Sequence, residues 1–230
     1  VWTPEANADA VAQHAMALLL ALTNQLKTAD AALRQGRFND RMQFSSLELT
    51  GRTLGIIGLG RIGSRMAKKA ALGLGMQVLA YDPYLDRATY DGPAVFVDTL
   101  EELLARADAI TLHVPLTDET RGMINSERLA QMKVGAYLIN TAGGAAVDET
   151  ALAAALQSGH LAGAAIDVFA QEPPDLEHPL QHAPNALLTP HVAGLSDRAL
   201  VQVATQAAQG IIDVLQGRRP QNPVNPEVFD

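Results

Sequence analysis

Residues 54–67 read LGIIGLGRIGSRMA, an apolar run that stops at a glycine, and no other stretch limits the fold as strongly. Gly58, Gly60 and Gly63 stand in G-x-G-x-x-G spacing, after a β-rich run and at the opening of a helical one. Each glycine has its own steric reason. The first makes a tight turn, the second lets the backbone approach a pyrophosphate, and the third lets helix and strand pack closely. The pyrophosphate then rests on the free N–H groups of the helix N-terminus. A plain glycine turn has the same spacing, but here an acidic residue, Asp82, follows about 20 residues on, as a dinucleotide site requires.

Asp82 ends the next β-rich run, in AYDPY. A carboxylate there accepts hydrogen bonds from an adenosine ribose and repels a 2′-phosphate, which favours NAD over NADP. Asp82 also has a plainer reading as the residue that initiates the turn at Pro83. Arg87 lies close enough in sequence to blur the cofactor preference.

Short β-rich runs alternate with helical ones along the chain. Strands are expected at Thr53 to Ile57, Gln77 to Tyr81, Ala109 to His113, Ala136 to Asn140 and Leu161 to Ile166. Helices are expected at Ile62 to Leu74, at Asp98 to Arg106 with Asp98 or Thr99 as cap, and at Asp148 to Gln157. Strands this apolar are buried on both faces, so the fold class is α/β, a Rossmann-type doubly wound parallel sheet flanked by long helices.

Before the sheet, Val11, Ala15, Leu18, Leu22, Leu26, Ala29 and Leu33 recur by threes and fours between Asn7 and Gly36, the spacing of one long amphipathic helix. After the sheet, Leu200, Val203, Ala207, Ile211 and Leu215 mark a helix from about Ser196 to Leu215, stopped by Gly217. An extended arm, RRPQNPVNPEVFD, closes the chain.

Composition narrows the partners. Seventeen Lys and Arg against 25 Asp and Glu give a net charge of −8, which argues against a nucleic-acid surface. There is no cysteine, so disulfides, thiolate metal sites and a cysteine nucleophile are excluded. The longest apolar run, Ala15 to Leu22, is too short for a bilayer span and no basic segment precedes it, so no membrane role is expected and the cytoplasm is the default location. The chain opens on Val1 rather than Met, which points to preceding residues.

Two further stretches carry chemistry. AAIDVFAQEP leaves a strand with Asp167 and then Glu172, and LLTPHVAG leaves another with His191. A carboxylate beside an imidazole orients the ring and favours its charged form, which suits proton transfer near neutral pH. Spacing alone leaves open whether Glu172 and His191 meet or are two surface loop residues. His113, at the end of its strand in LHVPLT, reads as a structural histidine. His178 and His182 stand four apart with Pro179 between them and no third ligand, and read as residues of a solvated loop.

GLGRIG, YDPY, HVPLT, INTAGGAAVDE, AAIDVFAQEP and TPHVAG, in this order and spacing, resemble the nucleotide-binding domain of the D-2-hydroxyacid dehydrogenases, the family of phosphoglycerate, glycerate and D-lactate dehydrogenases. The resemblance implies residues 8–195 as the dinucleotide-binding domain, with 1–7 and 196–230 as hinge, crossing helix and arm of a substrate domain that lies largely outside the chain. It implies NAD as cofactor, with Arg61 and Ile62 following the pyrophosphate turn, Asp82 on the ribose, and Val114, Thr141 and Ala142 lining the cofactor mainly through backbone. Asp167 would orient the nicotinamide carboxamide, and His191 and Gly194 would also face the cofactor. His191 would be the acid that protonates the substrate carbonyl of a 2-oxo acid, with Glu172 as its partner. Members pair as homodimers through this domain.

One position departs from the family pattern. Where members carry an arginine whose guanidinium clamps the substrate carboxylate, this chain has Gly143, and INTAGGAAVD offers no side chain for that task. The departure leaves turnover by this chain in doubt. It also admits a non-enzymatic NAD-sensing scaffold, like the family's corepressor relatives, or a purely structural dimer.

Overall fold

The structure is a computed structural model describing residues 1–229. Seven parallel strands form one sheet: β1 (Thr53–Ile57), β2 (Gln77–Tyr81), β3 (Val95–Phe96), β4 (Ala109–Leu112), β5 (Ala136–Asn140), β6 (Leu161–Ile166) and β7 (Ala186–Leu188). Their order is β3-β2-β1-β4-β5-β6-β7, so the chain winds outward to one side from β1 and then to the other from β4. The point between β1 and β4 is where such a sheet opens a crevice at its carboxyl edge.

Alternation along the strands sends side chains into two cores. Leu54 and Ile56 of β1 join a cluster with Met16 and Leu19 of helix α1 (Ala8–Thr23) and Met66 of α3 (Arg61–Lys68). Ile57 faces the opposite cluster, with Leu103 and Leu104 of α4 (Leu100–Arg106), Leu129 of α5 (Ser126–Gln131), Leu152 of α6 (Glu149–Gln157) and Leu180 of α7 (Pro179–His182). Helices therefore cover both faces, as the apolar strands require.

The helix starts follow from their caps. Thr99, Asp148 and Ser196 each accept a hydrogen bond from a backbone N–H in the first turn of α4, α6 and α8 (Asp197–Leu215), respectively. Of the two candidate caps for α4, Thr99 is the one used. The helix after the glycine turn runs as α3 and continues through a π turn at Lys69–Gly73.

One expectation is corrected. The single helix expected between Asn7 and Gly36 is two, α1 and α2 (Leu26–Arg34), because the chain breaks at Asn24 and Gln25. Thr23 Oγ1 and Asn24 Nδ2 donate to the carbonyls of Leu19 and Leu20, and Gln25 adopts a left-handed φ of 51°. The helix expected from about Ser196 to Leu215 is α8, and Leu200, Ile211 and Leu215 of its apolar stripe are exposed. Burying such a side chain is worth roughly 1.5–3 kcal/mol, so this face does not stabilise the domain. Strand β3 and helix α5 were not expected from sequence. Among the described residues no helix is long and apolar enough to cross a membrane.

Candidate functional site

The glycine turn and the chemistry-bearing loops all leave the sheet at the carboxyl ends of its strands. At β1, Gly58 has a φ of +86°, and a Cβ there would lie 2.8 Å from His113 O. A Cβ on Gly63 would sit 2.1 Å from Gly58 O, so helix and turn are in direct contact, while one on Gly60 would meet nothing within 4 Å. Open space at Gly60 beside the unsatisfied first-turn N–H groups of α3 fits a pyrophosphate. The adjoining cleft, about 850 Å³, is lined by Gly58, Gly60, Asp82, His113 and Val114 among others, and is large enough for a cofactor.

Asp82 combines its two sequence readings. Its Oδ2 accepts from Leu59 N at 2.8 Å and its Oδ1 from Tyr84 N and Leu85 N, so it makes the turn at Pro83 and ties that turn to the glycine loop. A carboxylate has about four acceptor sites, which leaves room for a ribose hydroxyl. Arg87 is committed elsewhere: it pairs with Asp98 at 2.8 Å and lies over the Phe96 ring. Arg61 turns its guanidinium away too, to Glu5 at 2.6 Å and the Trp2 ring, so only its backbone remains for a cofactor. Burial pushes the pKa of His113 down to about 3, and its Nε2 lies 3.0 Å from Thr111 Oγ1, so it is a neutral structural imidazole, as expected from sequence.

The structure brings Glu172 and His191 together. His191 Nδ1 lies 2.8 Å from Glu172 Oε2, and Glu172 Oε1 accepts from Phe169 N at 3.0 Å. The hydrogen bond from His191, helped by that of Phe169, holds the Glu172 carboxyl below its ordinary pKa. Its contribution to stability is therefore complete above the ordinary carboxylate range and is lost as pH falls through the lowered value.

His191 itself has a left-handed φ of 54°, uncommon for a side chain with a Cβ. Asp167 holds it there. His191 N donates to Asp167 O. The Asp167 carboxylate, fully buried, accepts from Thr189 Oγ1 at 2.6 Å, Val192 N at 3.0 Å and Ala193 N at 2.9 Å. His14, from α1, lies 3.6 Å from the same carboxylate. Sequence reasoning gave Asp167 a cofactor role and missed this one, along with His14. Gly194, next in the loop, lies against Asn7.

The stretch 139–148 is shaped by what passes over it. Thr141 is buried and its Oγ1 has no partner among the described residues, which leaves a polar group at the cofactor edge. Asn140 folds the turn by accepting from Ala142 N and donating to Gly143 O. Gly144 must be glycine, since a Cβ would lie 2.0 Å from Phe169 C. Gly143 is less constrained: its backbone is extended, and a Cβ would meet only Leu116, at 3.0 Å.

His178 is corrected outright. It is not solvated but 19% exposed, and it pairs with Glu149 at 3.0 Å. Its sequence signal is visible in retrospect, a histidine immediately before a proline that opens a helix, with its ring nitrogen capping Leu180 N. A second concavity lies at the amino ends of β5 to β7, away from these groups, and its Lys27 is committed to Ala186 O.

Glycine turn, switch-point cleft and carboxylate at β2 define a Rossmann-type dinucleotide-binding domain. A sequence profile for the NAD-binding domain of D-isomer specific 2-hydroxyacid dehydrogenases matches residues 16–193, and the chain belongs to that family. D-3-phosphoglycerate dehydrogenase of Methanocaldococcus jannaschii is 42% identical over 96% of this chain and 42% of its own length. Glyoxylate reductase of Thermofilum pendens is 42% identical over 99% of this chain and 68% of its own. The solved structure of D-lactate dehydrogenase from Aquifex aeolicus, complexed with NAD and lactic acid, superposes with a TM-score of 0.84 at 35% identity, covering 93% of this chain and 68% of that one. The chain thus spans less than half the length of the phosphoglycerate dehydrogenase relative.

Proposed function

We propose that the chain binds NAD in the crevice between β1 and β4 and supplies the acid–base pair for hydride transfer between a nicotinamide and a 2-hydroxy or 2-oxo acid. The observation that carries this reading is the His191–Glu172 hydrogen bond, at the same sheet edge as the glycine turn. Bound NAD supplies or accepts the hydride. Glu172 takes the Nδ1 side of His191, which leaves Nε2 free to give a proton to a carbonyl oxygen or take one from a hydroxyl. Glu172 stabilises the imidazolium, and Asp167 keeps the loop in place while the proton moves. Thr141 and Ala142 line the nicotinamide side through backbone and the Thr141 hydroxyl. His191 is 58% exposed, so a dry reaction needs a further covering surface over it.

A fluorescence titration tests the cofactor half. NADH should bind saturably and at least tenfold more tightly than NADPH, because the Asp82 carboxylate repels a 2′-phosphate and Arg87, the cation nearest in sequence, is held by Asp98. Equal affinities would end the ribose reading of Asp82, and no saturation by either cofactor would end the proposal.

We also propose a homodimer. Leu26 and Leu33 of α2 and Phe38 and Met42 beyond it are exposed large apolar residues on one continuous segment, the kind of surface that a second copy can cover. Sedimentation should give twice the chain mass, and Leu33→Glu with Phe38→Glu should give one. A monomeric wild type would refute it.

A further inference from the structure

Glu149 and His178 form a second carboxylate–imidazole pair that the proton-transfer reading does not use. It is more enclosed than the first, with side chains 10% and 19% exposed against 37% and 58% for Glu172 and His191. A pair so placed is costly unless every polar atom has a partner. Here each has one close by. Glu149, first residue of α6, accepts from Ala170 N on Oε1 at 2.9 Å, and its Oε2 lies 3.0 Å from His178 Nε2. His178 Nδ1 accepts from Leu180 N at 3.3 Å. A ring nitrogen that accepts carries no proton, so the N–H of the His178 ring is on Nε2, facing Glu149 Oε2.

Ala170 N is the amide next to Phe169 N, and Phe169 N donates to Glu172 Oε1. Two carboxylates therefore hold consecutive amides of one loop, Glu172 from within it and Glu149 from a helix outside it. On the far side the backbone of Phe169 and Ala170 rests on Gly144, and the Phe169 ring meets the edge of His178 at 6.4 Å between centroids. The loop that carries Glu172 is walled on three sides.

We propose that Glu149, with His178 as its donor, is a positioning residue for the acid–base pair: it fixes the Phe169–Ala170 backbone so that Glu172 presents Oε2 to His191 Nδ1. The inference rests on the proposed role of that pair and extends it to a residue that touches neither substrate nor cofactor. Glu149→Gln is the sharpest test, because glutamine keeps the shape and exchanges one acceptor for a donor. Whichever way its amide lies, Ala170 N–H or His178 Nε2–H faces an NH₂. His178 cannot adapt by moving its proton, since Nδ1–H would then point at Leu180 N–H.

The readout is the ring tautomer of His191, followed by ¹⁵N NMR on the whole chain at about pH 8.5, where an ordinary imidazole is neutral. In the wild type the proton should sit on Nδ1, toward Glu172, and Glu172→Ala should release it to Nε2. Glu149→Gln should lower the Nδ1–H to Nε2–H ratio by roughly threefold or more, the scale of one weakened hydrogen bond. An unchanged ratio in a variant that melts like the wild type overturns the proposal. Should Glu149→Gln fail to fold, His178→Phe keeps the ring contact with Phe169 while removing the donor, and an unchanged ratio there overturns it equally. NADH titration of the same samples keeps the two readings apart. A wild type that binds no NADH sinks the proposed function and leaves the tautomer result standing, whereas normal binding with an unmoved tautomer sinks the positioning role alone.

Discussion

Asp167→Ala should lower the melting temperature by roughly 10 °C, the larger of two effects expected at this site. The wild-type carboxylate is fully buried and receives Thr189 Oγ1, Val192 N and Ala193 N. Alanine leaves those three donors facing a cavity. Each buried orphan costs about 1–3 kcal/mol, and Thr189 can rotate toward another acceptor, so the sum is about 3–5 kcal/mol rather than the full total. For a domain of about this size each kcal/mol moves the midpoint by roughly 2–4 °C. His14 Nε2 lies 3.3 Å from Thr189 Oγ1, so it can serve that hydroxyl but gives no relief to the amides of Val192 and Ala193. The same change frees His191 from its left-handed backbone, since the amides on its C-terminal side lose their anchor. A shift of less than about 3 °C in a thermal melt would show that Asp167 is not the anchor of that loop.

This anchoring role shows where sequence reading reached and where it stopped. The glycine turn, Asp82 and the caps at Thr99, Asp148 and Ser196 act over a few residues, and their physics is local, so their elements were legible. His191 and Glu172 were legible as chemistry but not as a pair, because 19 residues and a whole strand separate them. Asp167 and Glu149 do their work through backbone amides on other segments, and no spacing rule encodes which amide a buried carboxylate will meet. The break at Gln25 failed differently. The apolar period continues through it, and the deciding interactions are polar side chains bonding back to carbonyls. The α8 stripe was legible as a helix, although periodicity says that one face is apolar and not what covers it.

Gly143→Arg should tighten binding of oxamate, a non-reducible 2-oxo acid mimic, to the NADH-bound chain by roughly 10- to 100-fold. The two glycines of INTAGGAAVD look equivalent in sequence and are not equivalent in space. Gly144 is pressed against Phe169 and admits no Cβ, whereas Gly143 has an extended backbone and only Leu116 near it, with its Cβ at 3.0 Å and its Cα at 3.6 Å. A side chain at 143 therefore needs a few tenths of an ångström from Leu116 and no change of φ. Family resemblance puts a carboxylate-binding arginine at this position, and a hydrogen bond to a charged group contributes about 1.5–3 kcal/mol, which sets the range. The nearby Asn140 and Thr141 stay as they are, because their bonds run to backbone at 142 and 143 or remain unfilled. Calorimetry with the cofactor saturating separates this gain from any change in NADH affinity. Unchanged oxamate binding in a folded variant would mean that the substrate carboxylate does not lie over position 143, and that whatever recognises it in this protein comes from another part of the surface.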